Sequence, residues 1–262
     1  MSVNLFSLDG RTALVTGASR GLGRSIARGL ARAGAHVILA ARDQARLEAV
    51  AAEIRREGGR ASVRAFDLGD LDQVGEVVGE LAAEASIDIL VNNGAIGGWG
   101  DLASSTLQGW NTMFDTNVSS MYLLCREISG GMADRGHGRI INFASYVSRI
   151  GRPNLSAYVA SKHAVLGLTR AIAAELAPKG VTCNAIAPGF FDTDMAAPTV
   201  GHPQRARIFK DAIAMNRFGD PDEIIGPVLF LASDASAYVT GQMLGVDGGV
   251  GGVLSLPVVV ET

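Results

Sequence analysis

Tyr158 and Lys162 stand four residues apart in Tyr158-Val159-Ala160-Ser161-Lys162-His163-Ala164-Val165, a run with helical patterning, so both side chains share one face. Thirteen residues before Tyr158 comes Ser145, at the end of the strand-like run 139–143. A strand end followed by a helix can aim a hydroxyl, a phenol and an ammonium at one point. A phenol that titrates at about 10 is a poor base at neutral pH, but a nearby ammonium favours phenolate. Lys162 is expected to supply that charge. Tyr158 could then give a proton to a carbonyl oxygen or take one from a hydroxyl, with Ser145 hydrogen-bonded to the same oxygen. Tyr-x3-Lys alone often arises by chance on an amphipathic helix. Its weight depends on what lies upstream.

There the run 12–16 leads directly into Thr16-Gly17-Ala18-Ser19-Arg20-Gly21-Leu22-Gly23 and then into helical spacing. Glycines at a strand-to-helix turn permit tight backbone and close approach to a pyrophosphate, whose charge suits the free N–H groups of the helix start. The spacing is G-x3-G-x-G rather than G-x-G-x-x-G, and a plain turn is the alternative. Gly17, Ser19, Arg20, Gly21, Leu22 and Gly23 are the candidate contacts to a nicotinamide dinucleotide, which would carry the hydride.

The second strand ends in Leu39-Ala40-Ala41-Arg42-Asp43, with Ala41 where an NAD-preferring enzyme commonly has an acid. Arg42 and Arg20 together could grip a 2′-phosphate. NADP(H) is therefore favoured over NAD(H). The alternative is two solvated arginines, with Asp43 a weak acid for the ribose hydroxyls. In Phe66-Asp67-Leu68, the carboxylate can accept from an adenine amino group. In Val91-Asn92-Asn93-Gly94-Ala95, small residues let the backbone, Asn93 and Gly94 included, pass close to the cofactor.

The elements that must position these groups are legible as alternation. Aliphatic or β-branched runs recur at 12–16, 37–40, 62–66, 87–91, 139–143, 181–186 and 242–246, with helical spacing between them, as at 22–33 and 47–56. Strand then helix, repeated, predicts an α/β chain: one doubly wound parallel sheet of about seven strands, with helices on both faces. No linker or repeat divides the chain, so residues 1–262 read as one Rossmann-type domain. The segment 190–220 lacks strand character and is expected to form a loop and helix cover over the substrate.

With 48% apolar residues and a mean hydropathy of +0.24, the 262 residues can bury one large core. A net charge of −3 provides no field to recruit nucleic acid or an acidic membrane, which leaves a small-molecule alcohol or ketone as the expected partner. Cys125 and Cys183 suit neither a zinc site nor a disulfide framework, so no metal is expected and a reducing cytoplasm fits. No apolar run approaches membrane-spanning length, and no signal segment is expected.

Taken together, these motifs resemble the short-chain dehydrogenase/reductase family over about residues 8–249. Thr16-Gly17-x3-Gly21-x-Gly23, Asn92-Asn93, Asn117, Ser145, Tyr158-x3-Lys162 and Pro188-Gly189-x3-Thr193 fall in the family's order. The resemblance implies that Asn117 is a fourth catalytic residue, holding a water that links Lys162 to solvent. Read without it, Asn117 is a polar residue inside a helix. It also implies that Lys162 bonds the nicotinamide ribose, that Ile186, Pro188 and Thr193 position the nicotinamide beside Gly189, and that the chain forms a homotetramer.

Two features depart from the family's pattern: Gly94-Ala95 stands where Ala-Gly is usual, and a tail at 250–262 extends past the usual end. The exchange is expected to alter contact on the adenosine side, and the tail, with Leu254, Leu256 and Val258, to cover a subunit contact. The segments 5–8 and 217–223 resemble gluconate 5-dehydrogenase and 3-oxoacyl-carrier-protein reductase types, pointing to a sugar acid, polyol or 3-oxoacyl compound. Arg149 and Arg152 could meet a substrate carboxylate or a carrier's phosphopantetheine, or be surface arginines. Trp99 could wall the pocket or pack in the core. The competing function is an NADP(H)-binding sensor of the same fold that does not turn over.

Overall fold

A computed structural model describes residues 5–194 and 196–253, apart from the side chains of residues 198 and 199; the expectation for the tail beyond residue 253 lies outside them. The described residues form seven strands: β1 Thr12–Thr16, β2 His36–Ala41, β3 Arg60–Ala65, β4 Ile89–Asn92, β5 Gly138–Phe143, β6 Val181–Pro188 and β7 Met243–Val246. All pair in parallel, in the order β3-β2-β1-β4-β5-β6-β7. The connecting helices are α1 Gly21–Arg32, α2 Gln44–Arg56, α3 Leu71–Glu84, α4 Leu107–Phe114, α5 Ser120–Asp134, α6 Ser156–Leu176, α7 Ala197–Val200, α8 Pro203–Asp211 and α9 Ile225–Ala232.

Neighbouring residues of a strand point to opposite faces, and both faces are covered. Val15 and Leu39 join the core formed with Ile26 and Leu30 of α1, Leu47 and Ile54 of α2, and Val228 of α9. Leu14, Leu90 and Ile140 join the other core, with Val78 of α3, Leu124 and Ile128 of α5, and Val165 of α6. A strand buried on both sides needs apolar residues at every position, which is why these strands read as unbroken runs. Phe66 and Ile87, expected at strand ends, lie just outside β3 and β4. Both are buried, so the apolar signal there reports packing; Phe66 still donates its N–H to the Ala41 carbonyl of β2 at 3.1 Å.

The strand order reverses between β1 and β4. Connections leave toward opposite faces there, opening a crevice above the strands' C-terminal ends, the usual place for a ligand in such sheets. The segment 190–220 contains α7, α8 and a single bridge between Phe191 and Gly219. Among the described residues, no helix is long and apolar enough to cross a membrane.

Candidate active site

At the crevice, β1 turns into α1 through Gly17, whose φ of 66° lies in the left-handed region. The turn is also too tight for side chains: a Cβ on Gly23 would stand 2.1 Å from the Gly17 carbonyl oxygen. The Asn93 side-chain amide donates to the Thr16 carbonyl at 2.9 Å, and the Gly94 N–H donates to Thr16 Oγ1 at 2.9 Å. Asn93 and Gly94 therefore brace the glycine turn from the next strand. Ser19 and Leu22 lie half-buried within it.

No side chain caps α1 at Arg20, and its first turn holds no acid. By contrast, Asp43 caps α2 by accepting from the Arg46 N–H, and Asp70 caps α3. The amides at the start of α1 are thus left to an anion. Asp43, the alternative ribose acid, is instead committed to its own helix and to an ion pair with Arg46 at 3.2 Å.

The two candidate phosphate arginines carry exposed partners: Arg20 lies 3.8 Å from Asp194, and Arg42 lies 3.6 Å from Asp67. Asp67 also accepts from the Gly69 N–H. Thr193 comes to the glycine turn from the far end of the sheet, its side chain about 3.5 Å from where a Cβ on Gly21 would sit. Pro188 ends β6, one residue after the buried Ala187 and two after Ile186. Gly189 has a packing reason to be glycine, since its Cβ would meet the Asp247 backbone at 2.6 Å.

Ser145 follows β5 and begins a single helical turn over Tyr146–Ser148; its N–H donates to Ser148 Oγ, and its hydroxyl accepts from the Val147 N–H. Tyr158 enters from the first turn of α6. Burial raises the phenol's pKa above its usual value; the nearby Ser145 hydroxyl opposes the rise and Tyr146 adds to it. The expectation that Lys162 lowers Tyr158 is thus not met. The Lys162 ammonium is buried 5.8 Å from the Tyr158 ring centre and donates to the Phe143 carbonyl at 2.7 Å, and burial pulls its own pKa down to about 8. Desolvation of the phenol outweighs a charge at that distance.

Asn117 is not in regular helix. It sits in a π-helical turn, Asp115–Ser119, between α4 and α5, the kind of local distortion that often occurs at functional sites. Its side chain clasps the Ile96 backbone, accepting from the N–H and donating to the carbonyl, both at 2.9 Å, and also donates to Ser161 Oγ. The side chain therefore fastens the loop after β4, and what it offers beside Lys162 is a wall. Asn117, Lys162, Thr16, Leu68 and Asn92 line a cavity of about 10 Å³, close to the least that holds one water. The Asn92 side-chain amide oxygen there (Oδ1) is buried without a partner among the described residues.

Arg149 is exposed. Arg152 reaches the Tyr146 hydroxyl and lies beside Trp99, which is 65% exposed and so is not in the core. Ser161 and Tyr146 carry no motif signal of their own, but Ser161 stands next to Lys162 and Tyr146 next to Ser145, so position along the chain is the signal that finds them.

Comparison with known proteins bears on this geometry. Residues 17–251 match the family model described as enoyl-(acyl carrier protein) reductase. The gluconate 5-dehydrogenase of Gluconobacter oxydans is 37% identical over 248 residues, spanning 94% of this chain and 97% of that protein. A 3-oxoacyl-acyl-carrier-protein reductase of Synechocystis sp. is 38% identical, over 93% of this chain and 98% of its own length. The solved structure of a gluconate 5-dehydrogenase from Burkholderia cenocepacia, in complex with NADP and tartrate, superposes with a TM-score of 0.92 at 36% identity, covering 97% of this chain and all of that one.

Proposed function

The chain belongs to the short-chain dehydrogenase/reductase family, and from that premise we propose that it interconverts a secondary alcohol and its ketone with NADP(H), Tyr158 carrying the proton. The observation that carries the reading is the convergence of Ser145, just past β5, with Tyr158 and the buried Lys162 of α6: Lys162 lies 5.8 Å from the Tyr158 ring centre and donates to the carbonyl of Phe143, two residues before Ser145, at the same end of the sheet as the uncapped start of α1. Because burial keeps the phenol protonated through the neutral range, Tyr158 is a ready proton donor to a carbonyl oxygen. Ser145 holds the same oxygen as charge builds on it. In the reverse direction Tyr158 takes the hydroxyl proton, and Lys162 relays it toward solvent past the cavity walled by Asn117.

The residues present suit a phosphorylated dinucleotide. The amides opening α1 would receive the pyrophosphate, with the braced glycine turn allowing close approach. Arg20 and Arg42 would exchange Asp194 and Asp67 for a 2′-phosphate; exposed ion pairs are worth about 0–1 kcal/mol, so the exchange costs little. Bound there, the nicotinamide supplies or accepts the hydride. Leu68, Asn93, Pro188, Gly189 and Thr193 complete the cofactor contacts in this reading, and residues 190–220 cover the substrate. NADP in the Burkholderia relative supports the cofactor choice, and its tartrate, a hydroxy diacid, favours a hydroxy acid over an acyl thioester.

The test is a panel of sugar acids, polyols, simple secondary alcohols and 3-oxoacyl thioesters, with both cofactors, followed by nicotinamide absorbance. Turnover with NADP(H) on an alcohol or ketone is expected. No turnover alongside tight NADP(H) binding would favour the sensor.

A further inference from the structure

We infer that Arg152 selects substrates that carry a carboxylate, an assignment that deepens the oxidoreductase reading and rests on it. Most arginines of the described chain point at an acid, as Arg24 does at Glu53 and Arg217 at Glu223. Arg152 makes no ion pair among the described residues. Its guanidinium carbon lies 5.0 Å from the Phe209 ring centre, 5.2 Å from Trp99 and 5.6 Å from Phe190. One of its N–H groups donates to the Tyr146 hydroxyl at 2.5 Å.

Such a cage fixes the guanidinium without neutralising it. Ring faces attract the cation through their quadrupoles but accept no proton and carry no charge. Tyr146 does not neutralise it either, because burial keeps that phenol above its usual pKa. The guanidinium has five N–H donors, only one of which Tyr146 engages. The remainder form the fork that matches a carboxylate.

The position is also appropriate. Tyr146 follows Ser145 directly and is close enough to raise the Tyr158 phenol. Arg152 therefore stands one side chain, Tyr146, away from the proposed proton carrier. The caging rings come from the loop after β4, from just after β6 and from α8. A substrate held with its carboxylate on Arg152 would bring a hydroxyl a few carbons along its chain toward Tyr158 and Ser145.

The experiment titrates tartrate and the uncharged threitol into the NADP-loaded protein by calorimetry, for wild type, Arg152→Gln and Arg152→Lys. In parallel, KM and kcat are measured on D-gluconate and D-glucitol. Wild type should bind tartrate and show little affinity for threitol. Arg152→Gln should weaken tartrate by about tenfold or more and raise KM for the acid more than it lowers kcat, with the polyol changed by less than about twofold. Arg152→Lys, which keeps the charge but not the fork, should fall between the two. Unchanged thermal unfolding and NADP affinity would show that the variants fold.

Equal losses on acid and polyol, undiminished tartrate affinity in Arg152→Gln, or no tartrate binding by wild type would each overturn the assignment. Arg152-dependent tartrate binding without turnover of any alcohol or ketone would instead sink the oxidoreductase reading alone. Turnover of neutral alcohols, indifferent to Arg152, would do the reverse.

Discussion

Leu68 and Gly94 compete for one volume: a methyl group on Gly94 would lie 2.4 Å from Leu68 Cδ1 and 3.2 Å from the Gly17 amide nitrogen. The exchange of the family's Ala-Gly for Gly94-Ala95 therefore does not leave a hole, because Leu68 fills it. Neither residue has a positive φ, so the exchange costs no backbone strain. Gly94→Ala should push Leu68 and the glycine turn apart, weakening NADP(H) by several-fold and costing about 1–3 kcal/mol of stability, as overpacking does. Adding Leu68→Val should restore both. A double-mutant cycle on cofactor affinity and Tm measures the coupling, and simple additivity would mean that the two residues do not share the space.

Tyr158→Phe removes the proposed proton carrier and leaves the glycine turn and Arg42 untouched. NADP(H) affinity, followed by fluorescence, should stay within about threefold, while turnover should fall by roughly 10²-fold or more. The direction of the Tyr158 shift also sets a pH signature in wild type. Since the phenol's pKa is raised, alcohol oxidation, which needs phenolate, should accelerate with pH up to about tenfold per unit across the neutral range. Ketone reduction, which needs the phenol, should stay flat there. Oxidation that is level between pH 6 and 9 in single-turnover measurements would take the proton role away from Tyr158.

Lys162 should act against the stability of its own fold. Its ammonium is buried, and its pKa falls from 10.5 to about 8, a cost of about 3 kcal/mol wherever the unfolded chain keeps the proton. The cost is complete below about pH 8, shrinks as pH rises, and is gone above about 10.5. Lys162→Met should lose activity yet gain about 1–2 kcal/mol at pH 7, the gain being limited by loss of the bond to the Phe143 carbonyl. By pH 9.5 the advantage should have largely vanished. Urea unfolding at the two pH values checks this; a variant less stable than wild type at pH 7 would mean that the bond outweighs the desolvation.

The parts of the molecule legible in its residues are those governed by short-range rules. Strands buried on both faces leave unbroken aliphatic runs, and Gly17 and Gly23 stand where any side chain collides with backbone, so the sheet and the cofactor turn could be read directly. Tyr158, Ser145 and Lys162 could be brought together by spacing, but their electrostatics could not. Whether an ammonium lowers a phenol depends on how far both are desolvated and on what else the ammonium bonds, here the Phe143 carbonyl. Asp43 shows a different limit, since the same carboxylate that could hold a ribose is also a good helix cap. The cage around Arg152 draws on residues 99, 146, 190 and 209, which no local pattern joins.

Arg42 should be the main discriminator between the two nicotinamide dinucleotides. Ala41 leaves no acid at the end of β2, and Asp43 is occupied by the cap of α2 and by Arg46, so nothing at that strand end rewards a free 2′-hydroxyl. Arg42, 71% exposed at its side chain and paired with Asp67 at 3.6 Å, can turn to a phosphate at small cost. Arg42→Ala should raise Kd for NADPH by about tenfold or more and change NADH by less than threefold. Arg20→Ala should do the same more weakly, because its guanidinium leans on Asp194 across the cofactor crevice. Raising salt from low to high should reduce the NADPH preference of wild type and leave that of Arg42→Ala almost unchanged, since screening acts on the charge that the variant lacks. Parallel losses for both cofactors in Arg42→Ala would mean that this side chain supports the turn and does not read the 2′-phosphate.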